Sequence, residues 1–478
     1  MKLASSALLP LVVIANWFVL SGAQAAAARP PNVVVILTDD QGFADISFNP
    51  HHPPEVATPH MDALAREGVW FSQAYITGNV CSPTRAGLLT GRYQQRAGVY
   101  TAGEGGTGMA LSEKTFPRFL KPAGYVSGAY GKWHAGLTLE QSPVGRGFDE
   151  WYGFLGRGAH DYFDLAQKDP DNGPMYRNGK EIKDEGYMTT RLTDEAVAFI
   201  RHHKSQPFYI HLAYNAVHSP AQAPAEDLAR IRRQFPGLRE SRVVLMAMLY
   251  HLDLGVGQVV ATLKQEGVWE NTLLFFLTDN GGAKATDAIN TPLRGFKQQN
   301  YEGGIRTPFI VSWPAGFKGG RKIDTPINSL DILPTALDAA GVARPTDKPF
   351  DGESLLPLLT GKSPQHRDTF YWSEGGDAGG WAVRSGDWKL VTQRNQVKPE
   401  LFNLKDDPEE KTDLTAQQPQ RVAELGRLYN TWLDQMAEPM SGAPKRFTGE
   451  PGRKKKKQRD TDSEGPAAGK KKKKKDVD

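Results

Sequence analysis

The stretch NVVVILTDD, residues 32–40, sets five consecutive apolar side chains between Asn32 and Thr38 and then stops at two aspartates. It shows no alternation of apolar and polar positions, which predicts a strand covered on both faces, as in a parallel sheet with helices on either side. A second run, TLLFFLTDNGG at 272–282, repeats the design and ends in Asp279-Asn280-Gly281-Gly282. In open parallel sheets, ligand sites form beyond the carboxyl ends of the strands. Asp39, Asp40, Asp279 and Asn280 are therefore expected at one sheet edge, although about 240 residues separate the two pairs. Short apolar runs alternate with helical patterns over residues 31–365. That pattern predicts an α/β catalytic domain built on a large, mainly parallel central sheet flanked by helices.

Beyond residue 365 the pattern changes. Phe370 to Ser373, Trp381 to Arg384, Trp388 to Val391 and Glu400 to Asn403 read as short strands, with Ser385-Gly386-Asp387 as a turn. A helix with Val422, Leu425, Leu428, Trp432 and Met436 on one face follows. Residues 366–440 are thus expected to form a small C-terminal α+β domain with an antiparallel sheet. The chain's formal charge of +4 is set by residues 446–478, whose lysine runs at 454–457 and 470–475 give a local excess of +7; the rest carries −3. Such a stretch cannot bury enough apolar surface to fold alone and reads as a disordered, solvated tail able to bind polyanions. At the other end, Lys2, the apolar stretch Ala7 to Leu20 and Ala23-Gln24-Ala25 have the layout of a cleaved secretory signal over residues 1–25. Pro10 and Asn16 interrupt that apolar stretch, which is shorter than the roughly 20 residues of a membrane-spanning helix. The expectation is export to the periplasm or the cell exterior without a transmembrane anchor.

The sole cysteine of 478 residues, Cys81, opens the segment CSPTR. Pro83 suits the first turn of a helix running on through Arg85 to Leu89, which places Cys81 at the helix's positive end. A lone cysteine in an oxidising compartment is a small buried hydrophobe or a group put to use. CSPTR followed by Leu89-Thr90-Gly91-Arg92 resembles the signature of the formylglycine-dependent sulfatases, members of the alkaline phosphatase superfamily. TDDQG at 38–42, GKWHAG at 131–136, His218-Ser219-Pro220, TDNGG at 278–282 and LRGFKQQNYEGGIRTP at 293–308 resemble that family's other motifs, in its order. The resemblance covers residues 31 to about 436. Thr84 stands where serine is most frequent and Phe296 where glycine is common; the first bears on how completely Cys81 is converted.

The resemblance implies that a maturation enzyme oxidises Cys81 to Cα-formylglycine, which hydrates to a geminal diol. One diol oxygen would attack sulfur and displace the alcohol, and the second hydroxyl would then expel sulfate and regenerate the aldehyde, a release that a sulfated serine lacks. Asp39, Asp40, Asp279 and Asn280, with an oxygen of converted Cys81, offer a hard ligand set that suits Ca2+ first and Mg2+ second. By the same resemblance Arg85 and Lys132 hold the formylglycine and His134 takes the proton that triggers sulfate expulsion. His218 and Lys297 contact the ester, one of them as proton donor. Arg294 and Arg306 read as structural ion-pair residues, and His202 and His251 as surface or core histidines.

Loops read the leaving alcohol. Arg157, His160 and Asp161 in GRGAHDY (156–162) mix polar and aromatic character in a way that suits a sugar, with a glycine-rich surface loop as the plainer reading. EGGDAGGW (374–381) is expected to extend over the site from the second domain. The expected substrate is a sulfated saccharide or another sulfate ester, and no nucleic acid partner is expected. Two other functions stay open on the sequence: a phosphate or phosphonate monoester hydrolase of the same superfamily, and a non-catalytic polyanion binder with Cys81 unmodified.

Overall fold

The computed structural model describes residues 29–156, 158–166 and 173–449. The strand Asn32–Thr38 lies at the middle of a ten-stranded sheet, between Thr272–Thr278 on one side and Phe208–Ala213 on the other. Val126–Lys132 and Glu150–Phe154 complete a block of five parallel strands. Antiparallel pairing enters outside this block, through Phe309–Ser312 next to Thr272–Thr278 and through Met175–Arg177 next to Glu150–Phe154.

The missing alternation has its reason in the packing. Val33, Val35 and Leu37 enter one hydrophobic core and Val34 and Ile36 the other, so both faces of the strand are dry. Leu273, Phe275 and Leu277 divide from Leu274 and Phe276 in the same way. The helix Glu240–Gln265 is apolar for the same reason: Leu245, Leu249, Leu252, Val256 and Val259 are buried in one of these cores.

A separate four-stranded antiparallel sheet, Thr369–Ser373, Trp381–Ser385, Trp388–Thr392 and Glu400–Asn403, forms the C-terminal part with the helix Pro419–Leu433. Leu425 and Trp432 of the expected apolar face are buried, together with Tyr429 and Leu433, whereas Met436 lies past the helix end. This sheet docks on the larger part through Trp372, whose indole N–H donates to the Ile76 carbonyl at 2.7 Å. A buried cluster in which Lys389 lies 2.9 Å from both Glu302 and Glu410 reinforces the contact.

The signal read at residues 1–25 and the lysine runs lie outside the described residues. The stretch read as a tail from 446 begins inside the packed body. Arg446 pairs with Asp434 at 2.7 Å, and the backbone of Phe447 exchanges hydrogen bonds with the Asn430 side chain. Phe447 also meets Trp381 edge to face, which supplies an apolar contact that composition does not reveal.

Candidate active site

Strand register explains how the distant motifs meet. Thr38 is opposite Thr278, and Leu37 and Gly131 are both opposite Ala213, so several strands stop at one edge. The chain then delivers Asp39 and Asp40, Asp279 and Asn280, and Lys132 and His134 to that edge, with His218 reached soon after Ala213. Asp40 has φ 60°, a left-handed turn that aspartate tolerates better than most side chains. Gly281 passes so close to the Gly303 carbonyl that a Cβ would lie 1.9 Å from its oxygen.

The helix Cys81–Thr90 begins at the cysteine, and all ten of its residues are buried. Gly91, at φ 66°, closes it by donating its N–H to the Gly87 carbonyl. Cys81 is 3% exposed, and its Sγ lies 3.7 Å from Asp39 Oδ1. Burial pushes the thiol up to about 12, against the lowering effect of Lys132 and Lys297. An unmodified Cys81 is therefore a neutral thiol here and a poor nucleophile.

Around it stand three carboxyl groups, Asp39, Asp40 and Asp279, and three basic side chains, Arg85, Lys132 and Lys297. Arg85 donates to Asp279 Oδ2 at 2.7 and 3.0 Å and to Asp39 Oδ2 at 3.3 Å, and to the Lys132 carbonyl at 2.9 Å. The Lys132 ammonium pairs with Asp39, and the Lys297 ammonium is 2.6 Å from Asp40 Oδ1. Asn280 donates to the same Asp40 oxygen at 2.7 Å. Burial alone would raise the Asp39 carboxyl, but Lys132, His218 and Arg85 together hold it below the usual range. Burial would lower the Lys297 ammonium, yet the negative groups around it, Cys81 when ionised, Asp40 and Asp39, raise it on balance. His134 is enclosed, with neither ring nitrogen hydrogen-bonded. Burial, then Lys132, Arg85 and Lys297, drive it well below the usual histidine range, so it is a neutral base. His218 is lowered by burial and Lys132, with Asp39 and Asp40 opposing.

Asp39, Asp40, Cys81 and His218 each bring a ligand atom within 4.8 Å of the others, a buried cluster able to hold a metal ion. His218 joins this group in addition to the oxygen ligands expected from sequence. Asp279 Oδ1 and Asn280 Oδ1 are buried with no hydrogen-bond partner, and such oxygens are costly unless something else satisfies them. An oxygen-rich set with two unsatisfied members fits a hard divalent cation.

The remaining sequence candidates separate. Arg157 lies outside the described residues. His160 is fully buried against the Phe154 ring, its Nδ1 at 2.8 Å from the Asp161 carbonyl. The Asp161 carboxylate accepts from the amides of Phe163 and Asp164 and from Gln222, so it shapes a turn. The same loop nevertheless reaches the site: a Cβ on Gly158 would lie 3.1 Å from His134 Cε1, and the Tyr162 hydroxyl donates to the carbonyls of Asn215 and His218. Arg294 and Arg306 have structural partners, Glu400 and Glu302. His251 is held between Asp227 and Thr190.

Sequence reasoning missed a polar seam beside the site. Asn79 donates to Glu374 at 2.8 Å and to Asn300 at 3.0 Å, and Glu374 pairs with Arg394 at 2.9 Å. The expected approach of the 374–381 loop to the site covers Glu374 as a member of that loop, without singling it out, and leaves Asn79, Asn300 and Arg394 unmarked.

Comparison with known proteins agrees with this geometry. The family model named Sulfatase matches residues 31–342, and the model named N-sulphoglucosamine sulphohydrolase, C-terminal, matches residues 296–436. The N-acetylgalactosamine-6-sulfatase of Canis lupus familiaris is 32% identical over 76% of this chain and 73% of its own. The uncharacterized sulfatase YdeN of Escherichia coli strain K12 is 29% identical over 86% of this chain and 87% of its own. The crystal structure of Ps i-CgsB in complex with k-i-k-neocarrahexaose superposes with a TM-score of 0.80 at 34% identity, covering 87% of this chain and 95% of that one. The chain belongs to the formylglycine-dependent sulfatase family of the alkaline-phosphatase superfamily, enzymes that hydrolyse sulfuric esters.

Proposed function

We propose that the protein releases sulfate from a sulfated carbohydrate, with converted Cys81 as nucleophile and one hard divalent cation held by Asp39, Asp40, Asp279 and Asn280. The observation that carries this reading is the pair of unpartnered buried oxygens, Asp279 Oδ1 and Asn280 Oδ1, beside an enclosed position 81. Converted Cys81 would supply a hydroxyl for attack on sulfur, and a cation held by these four residues, calcium before magnesium, would offset the ester's charge and lower the pKa of that hydroxyl. Arg85 and Lys132 fix the carboxylates. Neutral His134 accepts the proton of the second hydroxyl at position 81 as sulfate is expelled, and Lys297 keeps a standing positive charge for the ester oxygens. His218 donates its Nδ1 proton to the Ser219 carbonyl at 2.6 Å, so its Nε2 must gain a proton before it serves a leaving alcohol.

Two relatives support a sugar as the leaving group: one is named for N-acetylgalactosamine-6-sulfate hydrolysis, and the other was crystallised with a neocarrahexaose. The apolar stretch at residues 7–20 with its small-residue end supports export, where a maturation enzyme would convert Cys81 and the lysine-rich tail would meet polyanions. Converted protein assayed on 4-nitrophenyl sulfate and 4-nitrophenyl phosphate tests the reaction. Sulfate turnover that exceeds phosphate turnover, is lost with a chelator and returns with Ca2+ is expected. Undiminished turnover by protein whose Cys81 peptide is still a thiol by mass spectrometry would overturn the mechanism.

A further inference from the structure

A cleft of about 490 Å³ lies between the two parts of the chain. Val80, which precedes Cys81, and Phe296 and Gln298, which flank Lys297, line it from the catalytic part. Gln393 and Arg394 line it from the C-terminal part. The Arg394 side chain is 51% exposed, and Glu374 is its ion-pair partner at 2.9 Å. Glu374 is buried, and its second carboxylate oxygen accepts from Asn79 at 2.8 Å and from Asn300 at 3.3 Å. Asn79 stands two residues before Cys81 and Asn300 three after Lys297. The guanidinium is thus mounted on a buried polar seam tied to the reacting centre, with N–H groups left for a ligand. A cation held this way loses less side-chain entropy on binding than a loose surface arginine.

We infer that Arg394 is a specificity residue that binds a second anionic group, sulfate or carboxylate, on a saccharide whose scissile sulfate sits between Cys81 and Lys297. This deepens the carbohydrate reading above and rests on it. The planar fork of arginine matches either anion with two parallel hydrogen bonds. The Gln298 amide provides a donor and an acceptor for ring hydroxyls and Phe296 an apolar wall, while Gln393, whose Oε1 accepts from the Asn300 N–H at 2.8 Å, ties this side of the cleft to the seam. The substrate class is a multiply charged saccharide.

Calorimetric titration of the full chain, prepared without conversion of Cys81 so that no turnover intervenes, tests the inference. The probes are disaccharides carrying one sulfate, two sulfates, or one sulfate and one uronate carboxylate. The unaltered protein is expected to bind one doubly charged class about ten- to a hundredfold more tightly than the singly charged class, and the preferred class identifies the anion. Arg394→Gln removes most of this preference, Arg394→Lys keeps part of it, and Arg394→Ala repeats the test if the glutamine variant fails to fold. No preference in the unaltered protein, or an equal preference in Arg394→Gln, overturns the inference. Preference without hydrolysis of any sulfate ester would instead sink the reading of the reaction, and hydrolysis without preference would sink only this one.

Discussion

At the residue scale, the site is a balance of fixed charges in a dry setting. Asp279 holds Arg85 through two hydrogen bonds and keeps its other oxygen free. Asp279→Ala is expected to lower kcat by about 10³-fold or more and, by leaving Arg85 buried and short of a partner, to cost about 3–5 kcal/mol of stability. Steady-state kinetics and urea unfolding check the two effects separately. His134→Ala is expected to release one equivalent of nitrophenolate per site and then stall, because departure of the alcohol does not need this base and release of sulfate does; a rapid-mixing burst reads it. Residues whose chemistry is unusual for their place were legible in the sequence: the solitary Cys81, and carboxylates at the ends of fully apolar strands. Arg394, Asn79 and Asn300 were not, because even Asn300, inside the 293–308 motif, has no chemistry that sets it apart, and only the packing of the two parts of the chain brings the three together. Asp161 misled for the converse reason, since a polar side chain in a loop serves its own backbone as readily as a ligand.

At the scale of elements, strand ends do the positioning, and close backbone contacts lock them. Gly281→Ala would drive a methyl group into the Gly303 carbonyl, so it is expected to displace Asn280, lower the melting temperature and weaken Ca2+ binding together. Thermal unfolding with and without Ca2+ tests this, since an effect on stability alone would separate the loop from the metal site. Two of the five parallel strands, Asn32–Thr38 and Thr272–Thr278, were legible because burial on both faces removes polar interruptions from their sequence, whereas Val126–Lys132, with Ser127 and two glycines, carries no such run. Edge strands such as Lys180–Ile182, only three residues long, carry too little pattern to read and are defined by the neighbour they pair with.

For the whole molecule, the C-terminal sheet is bound to the larger part through buried charge. Lys389 lies between Glu302 and Glu410 with no exposed surface, and burial, with Glu302 adding to it and Lys389 opposing, pushes the Glu410 carboxyl up to about 7. Lys389→Met is expected to cost about 3–5 kcal/mol by leaving two carboxylates face to face, measured as a shift in the urea midpoint. Activity should fall with it, since Glu302 opens the short helix that follows the Lys297 loop. The ten buried residues of the Cys81–Thr90 helix carry a different kind of consequence, one of timing. If Cys81 is oxidised as proposed, a second protein can grip this buried segment only before the cores close over it, so the oxidation would have to come while the chain is still open. On that proposal a molecule that folds with its thiol intact would be well made and permanently silent, and the yield of working enzyme would be settled by a race between a modifying catalyst and the collapse of the chain.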